Sequence, residues 1–162
     1  EELGITMANS PTVNVGYEVL SELPKERHEK PMLSLDKTKE ISKLKEFVGD
    51  QKALFSWKLD GLTVVLTYEN GSLIKAVTRG NGEVGEVITN NAKVFKNIPL
   101  KIDFYDELIV EGEAISLKSD FDMVNKNLET PFKNQRGLAN GSISLLDSEK
   151  TKERRLNYAK FL

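Results

Sequence analysis

The chain has 162 residues, 39% apolar, 30% charged and 7% aromatic, with no cysteine and a net charge of −2. That is the composition of an ordinary globular domain; it excludes disulfides, thiol catalysis and any zinc module built on Cys within these residues, and it argues against a highly basic nucleic-acid module. No stretch approaches the roughly 20 apolar residues of a membrane span, and Glu1-Glu2-Leu3-Gly4 lacks the basic start and apolar run of a signal peptide, so the reading is a cytoplasmic domain.

Residues 1–30 read as an irregular arm or linker, broken by Pro11, Gly16 and Pro24 and ending in the polar run Lys25 to Lys30. Asp36 can cap a helix in which Ile41, Leu44 and Val48 recur at helical spacing, with Gly49 to end it; this helix should cover a core edge. From Ala53 the period changes. Leu54 to Leu59 leads to Asp60-Gly61, Leu62 to Tyr68 is a strand rich in Val, Thr and Leu, Glu69-Asn70-Gly71 is a hairpin turn, and Ser72 to Arg79 is the return strand of an antiparallel meander.

Glu86 to Phe95 then reads as a short helix stopped before Pro99, and Glu107 to Ala114 as a strand. Ser119 can cap a helix carrying Phe121, Val124 and Leu128 on one face. The Gly- and Asn-punctuated stretch Asn134 to Asp147 follows a polar loop around Pro131, and Leu156 to Leu162 is a last strand that runs off the end of the chain, as in a sheet with members missing.

Two motifs carry candidate chemistry. Gly80-Asn81-Gly82-Glu83-Val84-Gly85 has the spacing of a dinucleotide-binding loop, but it follows the return arm of a hairpin with no parallel crossover around it, which favours a glycine-rich turn over a Rossmann site. Lys58-Leu59-Asp60-Gly61 with Glu111-Gly112-Glu113 is the other. A nucleophilic lysine attacks only when deprotonated and so wants burial or nearby cations; carboxylates at Asp60 and Glu113 make sense there if they hold a divalent cation or position ribose and phosphate. Taken alone, the first tetrapeptide reads equally as an exposed Lys-Asp pair before a strand.

Context decides between them. Pro31-Met32-Leu33-Ser34-Leu35-Asp36, Lys58-Leu59-Asp60-Gly61, Thr78-Arg79-Gly80-Asn81-Gly82, Thr89-Asn90-Asn91, Ile98-Pro99-Leu100, Glu111-Gly112-Glu113, Asn134-Gln135-Arg136 and Gly141-Ser142 with Leu146-Asp147 resemble, in order and over nearly the whole chain, the adenylation domain of bacterial NAD-dependent DNA ligases. The resemblance implies an α+β nucleotidyltransferase fold, ATP-grasp-like, with antiparallel sheets, flanking helices and its C-terminal part missing; residues 31–162 would be the first part of that domain. Excision from a longer ligase also fits a chain that does not open on Met, and the fragment alone is expected not to seal nicks.

By the same resemblance, Lys58 would take AMP from NAD, while Asp60 and Glu113 bind nucleotide and magnesium. Arg79 and Arg136 would contact adenylate or phosphates, Ser34 and Leu35 would line the adenine pocket, and the implied partners are nicked double-stranded DNA and the remaining domains of the ligase. The sequence departs from the family at Ser56, where a Glu usually meets the adenine amine, and at Ser144, where an Arg usually stands. Two rivals remain open at this stage: a covalent nucleotidyltransferase using ATP or GTP, and a degenerate nucleotide- or DNA-binding module. His28, the single histidine, reads as a solvated residue of the arm or a DNA-side contact.

Overall fold

The computed structural model describes residues 22–32 and 36–161. Its centre is a four-stranded antiparallel sheet. Strands β2 (Leu62–Glu69) and β3 (Ser72–Thr78) form the expected hairpin, and the two-residue turn has φ of 48° at Asn70 and 72° at Gly71. Both central residues of such a turn need positive φ, which Asn tolerates and Gly adopts freely. The register shifts at Thr67/Tyr68, where Ile74 of β3 is left without a partner and lies exposed. Strand β5 (Leu108–Ile115) pairs with the other edge of β2 and β6 (Asn157–Lys160) with β5, giving the order β3-β2-β5-β6.

Period-two alternation splits this sheet into two faces. Val64, Leu66 and Tyr68 of β2 turn into the core with Leu73, Ala76 and Ala114. They pack there against Ile88 and Ala92, and against Leu138, Ala139 and Ile143. Thr63, Val65 and Thr67 point the other way, opposite Glu113, Glu111 and Ile109 on β5. Gly112, between the two glutamates, lies opposite Val64 on the core face, and a Cβ there would fall 2.5 Å from the Tyr158 ring, so only glycine fits. The Tyr158 hydroxyl lies 2.9 Å from the Val110 carbonyl and 3.1 Å from that of Val64, and burial pushes its ionisation well above the usual tyrosine range.

Helices α2 (Thr89–Ala92), α3 (Lys118–Lys126), α4 (Gln135–Ile143) and α5 (Ser148–Glu153) cover the core face, completing the α+β fold. Asp120 of α3 is buried between Lys96 and Arg155, its Oδ2 accepting from Lys96 Nζ at 2.8 Å and its Oδ1 from Arg155 Nε at 2.7 Å. Burial by itself raises that carboxyl, but the two cations outweigh it and hold it below its ordinary value.

Several elements differ from the sequence reading. Lys25–Arg27, read as part of an irregular arm, is strand β1, paired antiparallel with β4 (Val84–Glu86), so the predicted helix from Glu86 begins only at Thr89. Asp36 does not cap α1 (Ile41–Val48); Glu40 holds the cap position, and Gly49 ends the helix with φ 55°, as expected. Among the described residues that helix covers no core edge: Ile41 is 72% and Phe47 87% exposed, and none of its residues is buried. Period predicts an apolar face but not the partner that meets it. The N-cap of α3 is Leu117, not Ser119. Helices α4 and α5 escaped the pattern because Gly137, Asn140 and Gly141 dilute the first and the second buries only Ser148 and Thr151. Their caps were present in the sequence: Asn134 Oδ1 accepts from the Gly137 amide and Asp147 Oδ1 from the Glu149 amide.

Candidate functional site

Where β2 begins, the chain runs close against β5. A Cβ on Gly61 would fall 2.0 Å from the Ala114 carbonyl oxygen, so only glycine permits this approach. The approach is fixed by Glu113, 7% exposed, whose Oε1 accepts from the Gly61 amide at 3.1 Å and whose Oε2 accepts from the Thr63 hydroxyl at 3.0 Å. The carboxylate on β5 thus anchors the segment that carries Lys58 and Asp60.

A cleft of about 540 Å³ opens at this end of the sheet's second face, lined by Lys58, Asp60, Thr63, Arg79, Glu113 and Arg136 with Leu59, Gly61, Leu62 and Gly80. Its volume is in the range of small-molecule sites. Arg136 comes from the first turn of α4 and reaches Asp60, Nη1 to Oδ1 at 2.6 Å. Arg79 stands at the end of β3, its amide donating to the Thr63 carbonyl at 2.9 Å. Of the residues singled out from the sequence, five therefore meet: Lys58, Asp60, Arg79, Glu113 and Arg136. Ser56 is exposed and does not line the cleft, and Ser34 and Leu35 lie outside the described residues. Lys58 is exposed too, so the burial expected of a nucleophilic lysine is not seen; Arg79 and Arg136 line the same cleft.

The glycine-rich motif is a tight turn between β3 and β4, as its context favoured, and it forms no Rossmann loop. Gly80 and Gly82 have φ of 57° and 97°, and a Cβ on Gly80 would lie 1.9 Å from the Val84 carbonyl oxygen. Asn81 Oδ1 accepts from the amides of Glu83 and Val84, and the chain continues into β4, not into a helix. The turn contributes Arg79 and Gly80 to the cleft.

Ser144 does not reach this cleft; its hydroxyl donates to Glu86 Oε2. Among the described residues no three His, Asp or Glu side chains gather into a metal cage. Asp60 and Glu113 nevertheless present two carboxylates to one cleft, a donor set that suits Mg²⁺, which is commonly held by one or two carboxylates together with substrate phosphates.

Two residues were missed. Thr63 could have been found by the period of β2, which puts it beside Gly61 on the face of Glu113. His28 carried no local signal; it is half-buried, and its Nε2 lies against the carbonyls of Thr78 and Arg79, so the reading of a solvated arm residue is corrected.

Comparisons with known proteins place the chain in a family. The family described as NAD-dependent DNA ligase adenylation domain matches residues 20–162. A DNA ligase of Lachnoclostridium phytofermentans is 57% identical over 99% of this chain, one of Ruminiclostridium cellulolyticum 55% over 99%, and one of Campylobacter fetus 38% over 98%. These alignments take in 25%, 25% and 26% of the relatives, so the chain spans about a quarter of their length.

Proposed function

The chain belongs to the family of NAD-dependent DNA ligase adenylation domains, and on that premise we propose that its cleft transfers adenylate from NAD to Lys58 and onward to the 5′-phosphate of nicked double-stranded DNA. One observation carries the proposal: a lysine, two arginines and two carboxylates from four separate segments line a single nucleotide-sized cleft.

In the first step the uncharged Lys58 Nζ attacks the α-phosphorus of NAD. A nitrogen–phosphorus bond forms, the pyrophosphate bond to nicotinamide mononucleotide breaks with its electron pair on the departing oxygen, and the amine proton passes to solvent. Arg79 and Arg136 place fixed charge beside the phosphates, where guanidinium groups bond bidentately and stay protonated. Glu113 holds the Lys58–Gly61 segment against β5, and Asp60 aligns with Arg136. Mg²⁺, when bound through Asp60 and Glu113, supplies further neutralisation of developing charge.

In the second step an oxygen of the DNA 5′-phosphate attacks the adenylate phosphorus and the nitrogen–phosphorus bond breaks, returning the Lys58 amine; in a third the 3′-hydroxyl attacks the 5′-phosphorus, AMP leaves and the hydroxyl proton passes to solvent. We assign these later steps to a longer polypeptide in which residues 31–162, with β1 and His28 joined to them through β4 and the turn before it, form the first part of the adenylation domain. Among the described residues no helix is long and apolar enough to cross a membrane; we place the protein in the cytoplasm, where NAD and DNA meet. For the adenine we propose Ser34 and Leu35 on the resemblance alone; Ser56, which does not line the cleft, stands where the family's Glu would reach the adenine amine.

The test is to incubate the full-length gene product with NAD labelled in its adenylate. Label on Lys58, lost in Lys58→Ala without loss of fold, supports the reading. Label from ATP instead of NAD replaces it with an ATP-dependent transferase, and no label from either nucleotide leaves a non-catalytic binding module.

A further inference from the structure

Arg79, which lines the cleft, has a backbone held from three sides. Its amide donates to the Thr63 carbonyl at 2.9 Å and its carbonyl accepts from the Gly82 amide at 3.0 Å. The third hold comes from His28, whose Nε2 lies 3.1 Å from the Thr78 carbonyl oxygen and 3.2 Å from that of Arg79. A carbonyl oxygen only accepts, so Nε2 is the donor and shares its proton between the two.

His28 is itself fixed. It follows β1, whose pairing with β4 delivers it to the turn; its amide donates to the Glu83 carbonyl at 2.8 Å, and four residues on the Met32 amide donates to the Gly82 carbonyl, also at 2.8 Å. It does not line the cleft. What it touches is the backbone of the first residue of a turn containing two glycines at positive φ, a stretch that loses much conformational freedom when ordered.

We propose that His28 is a positioning residue for the nucleotide: by donating to the Thr78–Arg79 backbone it orders the turn before ligand arrives, so that the Arg79 guanidinium already faces the cleft. The inference rests on the nucleotide reading of that cleft. Preorganised charge of this kind spares binding the cost of ordering the turn.

The test uses His28→Phe, which keeps a ring and removes the donor, His28→Leu as a second donor-less variant, and His28→Gln, whose amide can donate in its place. Each is made alone and with Arg79→Ala in the full-length gene product. The readouts are KM and kcat for adenylation of Lys58 from NAD and hydrogen exchange at the Gly82 amide. His28→Phe should raise KM about fivefold with kcat changed less than about twofold, the effect of one hydrogen bond, while His28→Gln recovers most of the loss. In the Arg79→Ala background His28→Phe should add nothing, because its route of action is gone, yet Gly82 exchange should still quicken. An undiminished KM effect without the Arg79 side chain, no rescue by Gln, or unchanged exchange at Gly82 overturns the proposal. Wild-type protein that takes no label from NAD overturns the nucleotide reading instead, so the two failures are told apart.

Discussion

Glu113 is read as doing two jobs, and substitution can separate them. Its carboxylate accepts from the Gly61 amide at 3.1 Å and from the Thr63 hydroxyl at 3.0 Å while only 7% exposed. Bonds to a buried charged group are worth about 1.5–3 kcal/mol each, so Glu113→Ala, which removes both and leaves the Gly61 amide without this acceptor, should cost about 3–5 kcal/mol. Glu113→Gln is different. Its oxygen can still serve the Gly61 amide, and its NH₂ can donate to the Thr63 hydroxyl oxygen, which accepts as readily as it donates; the loss should be about 1 kcal/mol. Urea unfolding of the three proteins, run beside NAD-dependent labelling of Lys58, reads both jobs. The expected pattern is an Ala variant that is destabilised and inactive and a Gln variant that is folded yet labels at least about tenfold more slowly, because the charge facing the nucleotide is gone. An Ala variant within about 1 kcal/mol of wild type would show that these bonds do not hold the Lys58–Gly61 segment, and a Gln variant as unstable as Ala would refute the proposed exchange of partners.

Gly61→Ala should drive a methyl to 2.0 Å from the Ala114 carbonyl oxygen and cost about 2–3 kcal/mol, read as a lower thermal midpoint together with weaker AMP binding. Asp120 has its carboxyl held below the ordinary value of 3.8, so its contribution is complete above that pH and drains away as acid takes the protein through the lowered value. Asp120→Asn should therefore lose about 3 kcal/mol at neutral pH and show a flatter stability profile below pH 3.8; an acid limb as steep as that of wild type would assign the titration elsewhere. Ser56→Glu supplies the acceptor that the resemblance expects for the adenine amine and should tighten AMP binding about fivefold, measured by calorimetry, whereas unchanged affinity removes Ser56 from the nucleotide contacts.

What could be read in advance followed the range of the forces involved. The β2–β3 hairpin rests on Asn70-Gly71, a turn written in two adjacent residues, and was legible. So was the turn character of the glycine-rich motif, because the strand before it is the return arm of that same hairpin. Helix α4 was not legible: its buried face uses Leu138, Ala139, Ser142 and Ile143 between glycines, and only the sheet beneath makes such a face worth burying. β1 is made of charged residues and exists because β4 offers it a ladder. The site divided the same way. Lys58, Asp60 and Glu113 stood out by motif, whereas Thr63 and His28 act through geometry formed only when distant segments meet.

The strand order β3-β2-β5-β6 also imposes a timetable on synthesis. Gly61 waits 52 positions for the Glu113 carboxylate and Asp60 waits 76 for Arg136. At about 5–20 residues per second, the second wait lasts roughly 4–15 s on the ribosome. During that interval the β2–β3 hairpin can already close, since its turn is local, while the other edge of Leu62–Glu69 offers unpaired amides and carbonyls to any strand that arrives before β5. The nascent chain is thus most open to mispairing in the seconds before its site can exist, and slowing translation between Glu69 and Leu108 should lengthen that exposure without altering the finished protein.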